Sequence, residues 1–275
     1  MILNPNLENK LNELNSFLNG KKVIVAFSGG VDSSLLAFVS HKYAKKTLLI
    51  TEKSILYSND EIEGTIMFAK KYGISHLIIE QEPLKNEDFR KNPINRCYIC
   101  KKGLYEEILK IKKERDFDFI VDGTNSDDLL DYRPGLQALK ELNISTPYID
   151  YKISKQEIRE ISKYYNLDVY SKPSSACFSS RIPYNQPIDE QKLNRIKEGE
   201  KFLKSTFNLT QLRVRHHENN LARIEFLPQD LPKILRDQKN LELIKKKFKE
   251  LGFSYVTVDI EGFRSGSMNE ILSVR

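Results

Sequence analysis

The chain has no tryptophan, and only three cysteines, three methionines and four histidines among 275 residues. Three cysteines cannot build the disulfide framework that staples small secreted domains, and they leave metal or sulfur chemistry open. Apolar runs are short. None approaches the ~18 residues that would read as a bilayer-spanning helix, so no such helix is expected. The first twenty residues, MILNPNLENKLNELNSFLNG, are too polar for a secretory signal, and a cytoplasmic location is the expectation. Leu7, Leu11, Leu14 and Leu18 in that stretch share one helical face, which predicts a small docking helix. Low-complexity tracts and internal repeats are also missing. Charge of one sign is not dominant: 44 basic residues against 38 acidic leave a net +6. That excess suits a soluble protein that handles anions, and it does not decide between small phosphorylated ligands and RNA. Runs such as Lys245-Lys246-Lys247 read as a solvated helix face.

What is present is a sizeable core. At 275 residues and 40% hydrophobic content, the chain can fold as one large or two modest domains. Strand-like runs at Val23–Phe27, Thr47–Thr51, His76–Glu80, Phe119–Asp122 and Thr146–Ile149 alternate with amphipathic helices at Ser33–Ala44, Asp60–Tyr72, Lys101–Glu114 and Ser154–Tyr165. This alternation predicts an α/β fold, a parallel sheet with helices on both faces, over residues 1–184. The pattern changes after Pro183. A helix at Glu190–Lys204, two strands at Gln211–His216 and Leu221–Leu227, a helix at Leu231–Leu251 and a strand at Tyr255–Ile260 predict a small C-terminal α+β domain over 185–275.

Five motifs carry chemistry. Ser28-Gly29-Gly30-Val31-Asp32-Ser33 follows a buried strand and opens a helix. Its glycines allow successive N–H groups to converge on an anion, and the helix start adds free N–H groups and a positive dipole end. Ser28 and Ser33 offer hydroxyls, and Asp32 offers oxygens to magnesium. No Gly-Lys-Ser/Thr closes the loop, so it is not a Walker A loop. The stretch Asp122-Gly123-Thr124-Asn125-Ser126-Asp127-Asp128, continuing to Asp131-Tyr132-Arg133-Pro134-Gly135, lies at the same sheet edge. Its carboxylates could bind magnesium or cap a helix, and Arg133 could neutralise phosphate oxygens. Cys97-Tyr98-Ile99-Cys100, with the distant Cys177, could bind zinc, carry a redox disulfide or ligate an iron–sulfur cluster. Zinc would need a fourth ligand, His76 or His41. Arg96, Lys101 and Lys102 would favour the thiolates. Pro173 and Pro183 bound a loop of small residues around Cys177. Strand alternation in Arg213-Val214-Arg215-His216-His217 puts Arg213, Arg215 and His217 on one face, a pair of guanidiniums suited to a phosphate or dicarboxylate or else a solvated sheet surface.

The hexapeptide resembles the PP-loop (SGGxDS) of the ATP pyrophosphatase superfamily, which splits ATP into AMP and pyrophosphate. Taken together, SGGVDS, RCYICK, DGTNSDDLLDYRPG, KPSSACFSSRIPY, RVRHH, ARIEF and GFRSGSMNE resemble the LarE family over nearly the whole chain. These are ATP-dependent sulfurtransferases that make the dithiocarboxylate precursor of the nickel-pincer nucleotide of lactate racemase. The resemblance implies adenylation of a carboxylate of pyridinium-3,5-biscarboxylic acid mononucleotide, followed by displacement of AMP by sulfur. It implies that Ser28, Gly29, Gly30, Asp32 and Ser33 hold the ATP phosphates and magnesium, with Gly123, Thr124 and Arg133 beside them. It further implies that Arg213 and Arg215 grip the substrate, with Glu200, Glu225 and Asp230 as looser acidic candidates. The family supplies sulfur either by sacrificing the cysteine at the Cys177 position, which becomes dehydroalanine, or from a [4Fe-4S] cluster on three cysteines. Because Cys97, Cys100 and Cys177 are all present, the cluster version is expected. A homo-oligomer is implied; neither membrane nor nucleic acid is an expected partner. A tRNA-thiolating PP-loop enzyme is the runner-up, disfavoured by the lack of an added RNA-binding module. An amidotransferase-type synthetase would need a glutaminase segment, and an ATP-binding regulator would have no use for the Cys177 loop.

Overall fold

The computed structural model describes residues 3–130, 133–173 and 175–272, with the side chains of 130, 271 and 272 outside the description. Contacts divide the chain into two compact units, residues 1–83 with 95–175, and residues 84–94 with 176–275.

The first unit opens with α1 (Pro5–Leu18), whose leucine stripe is buried as its spacing predicts. Asn4 caps it by accepting from the Leu7 N–H at 2.8 Å. There follow β1 (Lys22–Ala26), α2 (Val31–Tyr43), β2 (Lys46–Lys53), α3 (Asn59–Tyr72) and β3 (Ser75–Glu80). The one-turn helix α4 (Glu87–Arg90) belongs to the second unit. The first unit resumes with α5 (Arg96–Glu114), β4 (Phe119–Val121), α6 (Gly135–Glu141), α7 (Pro147–Asp150) and α8 (Lys155–Tyr164).

The four strands form one sheet in the order β3-β2-β1-β4, every pairing parallel. Strand side chains alternate in direction, so each buried strand feeds two cores. Val23, Val25, Leu49 and Val121 join the core covered by α1, α2 and α8. Ile24, Leu48, Ile50 and Ile120 join the core covered by α5 and Leu139 of α6. Each such side chain contributes about 1.5–3 kcal/mol on burial. The connections through α2 and α3 run out along one face, and the chain then returns past β1 on the opposite face to place β4. The strand order therefore reverses between β1 and β4, and the crevice beyond their C-terminal ends is where such sheets bind ligands.

Thr146–Ile149 is not a strand. Pro147 cannot donate to a ladder and instead occupies the first turn of α7, leaving a single bridge between Val121 and Ser145. The helix expected from Lys101 begins at Arg96, which takes both cysteines of the Cys97–Cys100 motif into its first turns.

In the second unit α9 (Glu190–Phe207) packs on a mixed three-stranded sheet of β5 (Leu212–His217), β6 (Leu221–Phe226) and β7 (Tyr255–Val258). β5 and β6 are antiparallel, and β6 and β7 are parallel. The single helix expected over Leu231–Leu251 is two, α10 (Leu231–Leu235) and α11 (Gln238–Glu250). Asp237 is extended between them and starts the second by accepting from the Lys239 N–H at 2.9 Å. Leu212, Val214, Ala222, Ile224 and Phe226 form this unit's core with Phe248 and Phe253.

Candidate functional site

β1 runs into a turn in which Gly29 is left-handed (φ +69°) and Gly30 is the cap residue of α2. No side chain caps that helix start, so its first N–H groups remain available to an anion. The loop is drawn together by its own serines: Ser28 Oγ and Ser33 Oγ lie 3.1 Å apart, and Ser33 Oγ accepts from the Ser28 N–H at 3.3 Å. A β-carbon on Gly29 would stand 2.9 Å from Thr65 Cγ2 of α3, and the positive φ opposes any side chain as well.

The β4 loop meets this turn backbone to backbone. A β-carbon on Gly123 would lie 3.0 Å from the Ser33 nitrogen and 3.2 Å from the Asp32 carbonyl carbon. Asp122 organises its own loop by accepting from the Thr124 N–H at 2.8 Å, the Thr124 hydroxyl, the Tyr105 hydroxyl and Lys101 Nζ at 3.1 Å. Burial pushes the Asp122 carboxyl up, but the Lys101 ammonium and these hydrogen bonds outweigh it and hold the group below the ordinary carboxylate range. Asn125 and Asp128 close a further turn, the Asn125 N–H donating to Asp128 at 3.0 Å. Arg133 is half exposed and pairs with Asp128 at 2.7 Å. Asp131 and Tyr132 of the same motif, and Ser174 of the Cys177 loop, lie outside the described residues.

Three lysines reach these two loops. Lys101 holds Asp122, Lys155 donates to Asp32 Oδ2, and Lys172 donates to the Gly29 carbonyl at 2.8 Å. Sequence reasoning noted Lys101 only as a neighbour of cysteines and assigned no role to Lys155 or Lys172. Neither stands in a motif that marks it; α8 and the connector after it bring them to β1. Burial raises the Asp32 carboxyl above its usual value against the opposing pull of Lys155. Asp32 Oδ1 is buried and lacks a hydrogen-bond partner among the described residues. An orphaned carboxylate oxygen beside an uncapped helix start fits a magnesium ion, which needs only one or two carboxylates when phosphates and water complete its shell.

In the second unit Cys177 immediately precedes the 3-10 turn Phe178–Arg181, its sulfur 3.0 Å from Ser179 Oγ. Arg181 fixes this loop. It donates to the carbonyls of Ala176 and Cys177, the latter at 2.9 Å, and pairs bidentately with Glu200 at 2.9 and 3.1 Å. Arg181 and Glu200 are 2% and 3% exposed. Burial works against the Glu200 carboxylate, but Arg181 outweighs it and keeps the group below its ordinary range. Glu200 also accepts from the Val214 N–H at 3.1 Å.

Arg213 and Arg215 are not on a solvated sheet surface; each is 5% exposed. Arg215 donates to Glu225 at 2.7 Å, Ser267 at 2.8 Å and the Ser180 carbonyl at 3.1 Å. Arg213 donates to the Leu212 carbonyl at 2.8 Å and lies 5.1 Å from the Phe263 ring centre. Burial lowers the Arg213 guanidinium to about 10, and the neighbouring Arg181 adds to the effect. Glu225 is fully buried between Arg215 and Arg223. Asp230 lies 3.9 Å from Lys233 in the first turn of α10.

Cys97 and Cys100 stand three residues apart at the start of α5 and so share a helix face. They belong to the first unit and Cys177 to the second, and none is in a disulfide. Among the described residues no group of three or more His, Cys, Asp or Glu side chains is assembled to hold a metal ion. His76, a candidate zinc ligand, is bonded instead to Thr51 Oγ1 at 2.8 Å. No helix among the described residues is long and apolar enough to cross a membrane.

A strand, a glycine turn and an uncapped helix at the switch point of a parallel sheet define a PP-loop α/β domain. No family model matches the chain. It is 38% identical to uncharacterized protein slr1717 of Synechocystis sp., over 97% of this chain and 99% of that one. It is 39% identical to uncharacterized protein MJ0830 of Methanocaldococcus jannaschii, over 92% and 95%. Against the pyridinium-3,5-bisthiocarboxylic acid mononucleotide synthase of Lactiplantibacillus plantarum, the LarE protein, identity is 29% over 92% of this chain and 91% of the synthase. A more distant likeness, 24% over 68% of the chain, reaches the tRNA-specific 2-thiouridylase MnmA of Rickettsia bellii. The chain belongs to the family of slr1717 and MJ0830 and is similar to the LarE synthase.

Proposed function

We propose that this protein is an ATP-dependent sulfurtransferase acting on pyridinium-3,5-biscarboxylic acid mononucleotide. The observation that carries the choice of substrate is likeness to the named synthase along nine-tenths of both chains. The uncapped glycine turn at the switch point supports the use of nucleotide.

A carboxylate resists nucleophiles. Its oxygen attacks the α-phosphorus of ATP, the bond to the β-phosphate oxygen breaks, and pyrophosphate leaves. Sulfur then attacks the acyl carbon, and the bond to AMP breaks to give the thiocarboxylate; a second round gives the dithio product. Ser28, Gly29, Gly30 and Ser33 hold the phosphates by their N–H and hydroxyl groups, which give up their bonds within the loop to do so. Gly123 lets the second loop approach, Thr124 stands at its rim, and Arg133 is the cation for charge developing on phosphate oxygens. Asp32 would hold magnesium through its spare oxygen, and the ion would neutralise phosphate charge. Arg213 and Arg215 bind the phosphate or carboxylate of the substrate mononucleotide. In support, Arg181, Arg213 and Arg215 gather in one buried cluster with Glu200 and Glu225, and guanidiniums brought together in this way suit a phosphate or carboxylate ligand.

Cys97, Cys100 and Cys177 would be the ligands of a [4Fe-4S] cluster. By residue type three thiolates would suffice for such a cluster and would leave one iron open; the described residues do not assemble them into one group. When bound, such a cluster supplies transferable sulfide. Cys177 is committed to sulfur delivery whether it ligates or is itself consumed, and Arg181 holds its carbonyl in place for either role.

The test is anaerobic incubation with magnesium-ATP, the pyridinium mononucleotide and sulfide, with products resolved by mass spectrometry. AMP, pyrophosphate and a thioacid are expected. Cys177→Ala should still bind ATP and lose at least ~100-fold in thioacid formation. Pyrophosphate release that depends on tRNA, with no thioacid, would overturn the reading.

A further inference from the structure

We infer that Lys172 is a phosphate-binding residue of the nucleotide site, released from the Gly29 carbonyl when nucleotide enters. This deepens the proposed use of ATP and rests on it. The three lysines at the two loops are not equivalent. Lys101 faces the Asp122 carboxylate and Lys155 faces Asp32, so both are neutralised in place. Lys172 donates only to the carbonyl of Gly29, and among the described residues no carboxylate forms an ion pair with it. A half-buried ammonium whose partner is a neutral carbonyl is under-compensated. It stands beside the helix start of the glycine turn, whose free N–H groups, like the ammonium, suit an anion.

The backbone of Lys172 is fixed independently of its side chain. Its N–H donates to the Val169 carbonyl at 3.0 Å, and its own carbonyl accepts from Arg159 Nη2 at 2.9 Å. Arg159 also donates to the Tyr170 carbonyl. Only the flexible four-carbon stem must move, a short swing from a carbonyl oxygen to a phosphate oxygen at the same loop. Exchanging a neutral acceptor for a charged one strengthens the hydrogen bond. The ligand class is therefore a di- or triphosphate seated on the glycine turn, not the nucleoside.

Binding of magnesium-ATP, pyrophosphate and adenosine to wild type and Lys172→Met, measured by calorimetry, tests this. ATP and pyrophosphate affinities should fall about tenfold or more in the variant, as expected for loss of one charge-assisted hydrogen bond. Adenosine binding should not change, and Lys172→Arg should recover most of the loss. In a second measurement, ATP and pyrophosphate should slow reductive methylation of Lys172 in the wild-type protein, and adenosine should not. Wild-type protein that fails to bind ATP would sink the nucleotide reading itself. Wild-type protein that binds ATP while Lys172→Met binds it equally well, or loses adenosine to the same degree, would sink the role of Lys172 alone. So would a methylation rate indifferent to phosphate.

Discussion

His216 brings both ring nitrogens into the second unit at 1% exposure, and neither has a hydrogen-bond partner among the described residues. Its ring packs on Phe253, with centres 5.2 Å apart. Burial lowers the imidazole to about 4, helped by the positive charges of Arg195 and Lys192. The unfolded chain takes up the proton near pH 6.5, the folded protein only near 4, so stability is full above 6.5 and falls as pH drops towards 4. The loss is at most about 3 kcal/mol by that linkage. Urea midpoints between pH 4 and 7 should show this slope, and His216→Phe should flatten it; an unchanged slope would mean that the ring titrates normally. Residue-level legibility was uneven. Strand alternation put Arg213 and Arg215 on one face, as found, but could not say that Ser180 of a 3-10 turn and Ser267 would bond Arg215. Arg181 was visible only as part of a motif, and its role as anchor of the Cys177 loop needed the partner Glu200, nineteen residues away.

Elements were legible where local chemistry agreed with tertiary demand. β1, β2 and β3 and the helices α2, α3 and α8 lie within a residue or two of where periodicity put them, and α3 and α8 each carry a complete capping box, at Ser58 and Ser154. The failures were at proline and at a missing start signal. Pro147 turned an apolar run into a helical turn, and Asn95 begins α5 without a side-chain cap, so nothing local announced that the two cysteines are helical. The contact between the glycine loop and the β4 loop is an element-scale feature with a sharp consequence. Gly123→Ala puts a methyl 3.0 Å from the Ser33 nitrogen, and backbone cannot yield as a flexible side chain can. The variant should lose about 1–3 kcal/mol of stability and most of its ATP affinity. Thermal unfolding and nucleotide titration would check both, and an alanine variant that binds ATP normally would show that the loops separate freely.

At the scale of the whole molecule, the proposed cluster would draw on Cys97 and Cys100 at the start of α5 and on Cys177 before Phe178. Protein purified without oxygen should be brown, with about four irons per chain, the complement of one [4Fe-4S] cluster. Replacing Cys97 and Cys100 with serine should abolish the colour. Colourless wild-type protein that is active and carries dehydroalanine at position 177 would select sacrifice of Cys177 instead. Read by itself, the amino-acid sequence determined the parallel α/β class, the glycine turn after β1 and the cysteine inventory, because strand alternation, glycine conformation and thiol chemistry are local properties. Only the tertiary structure decided that Lys155 and Lys172 reach that turn, that Gly123 seals two loops together, and that Arg213 and Arg215 are buried beside Arg181. Those facts depend on which distant segments a strand order of β3-β2-β1-β4 and a covered mixed sheet bring into contact, and sequence separation carries no signal of that.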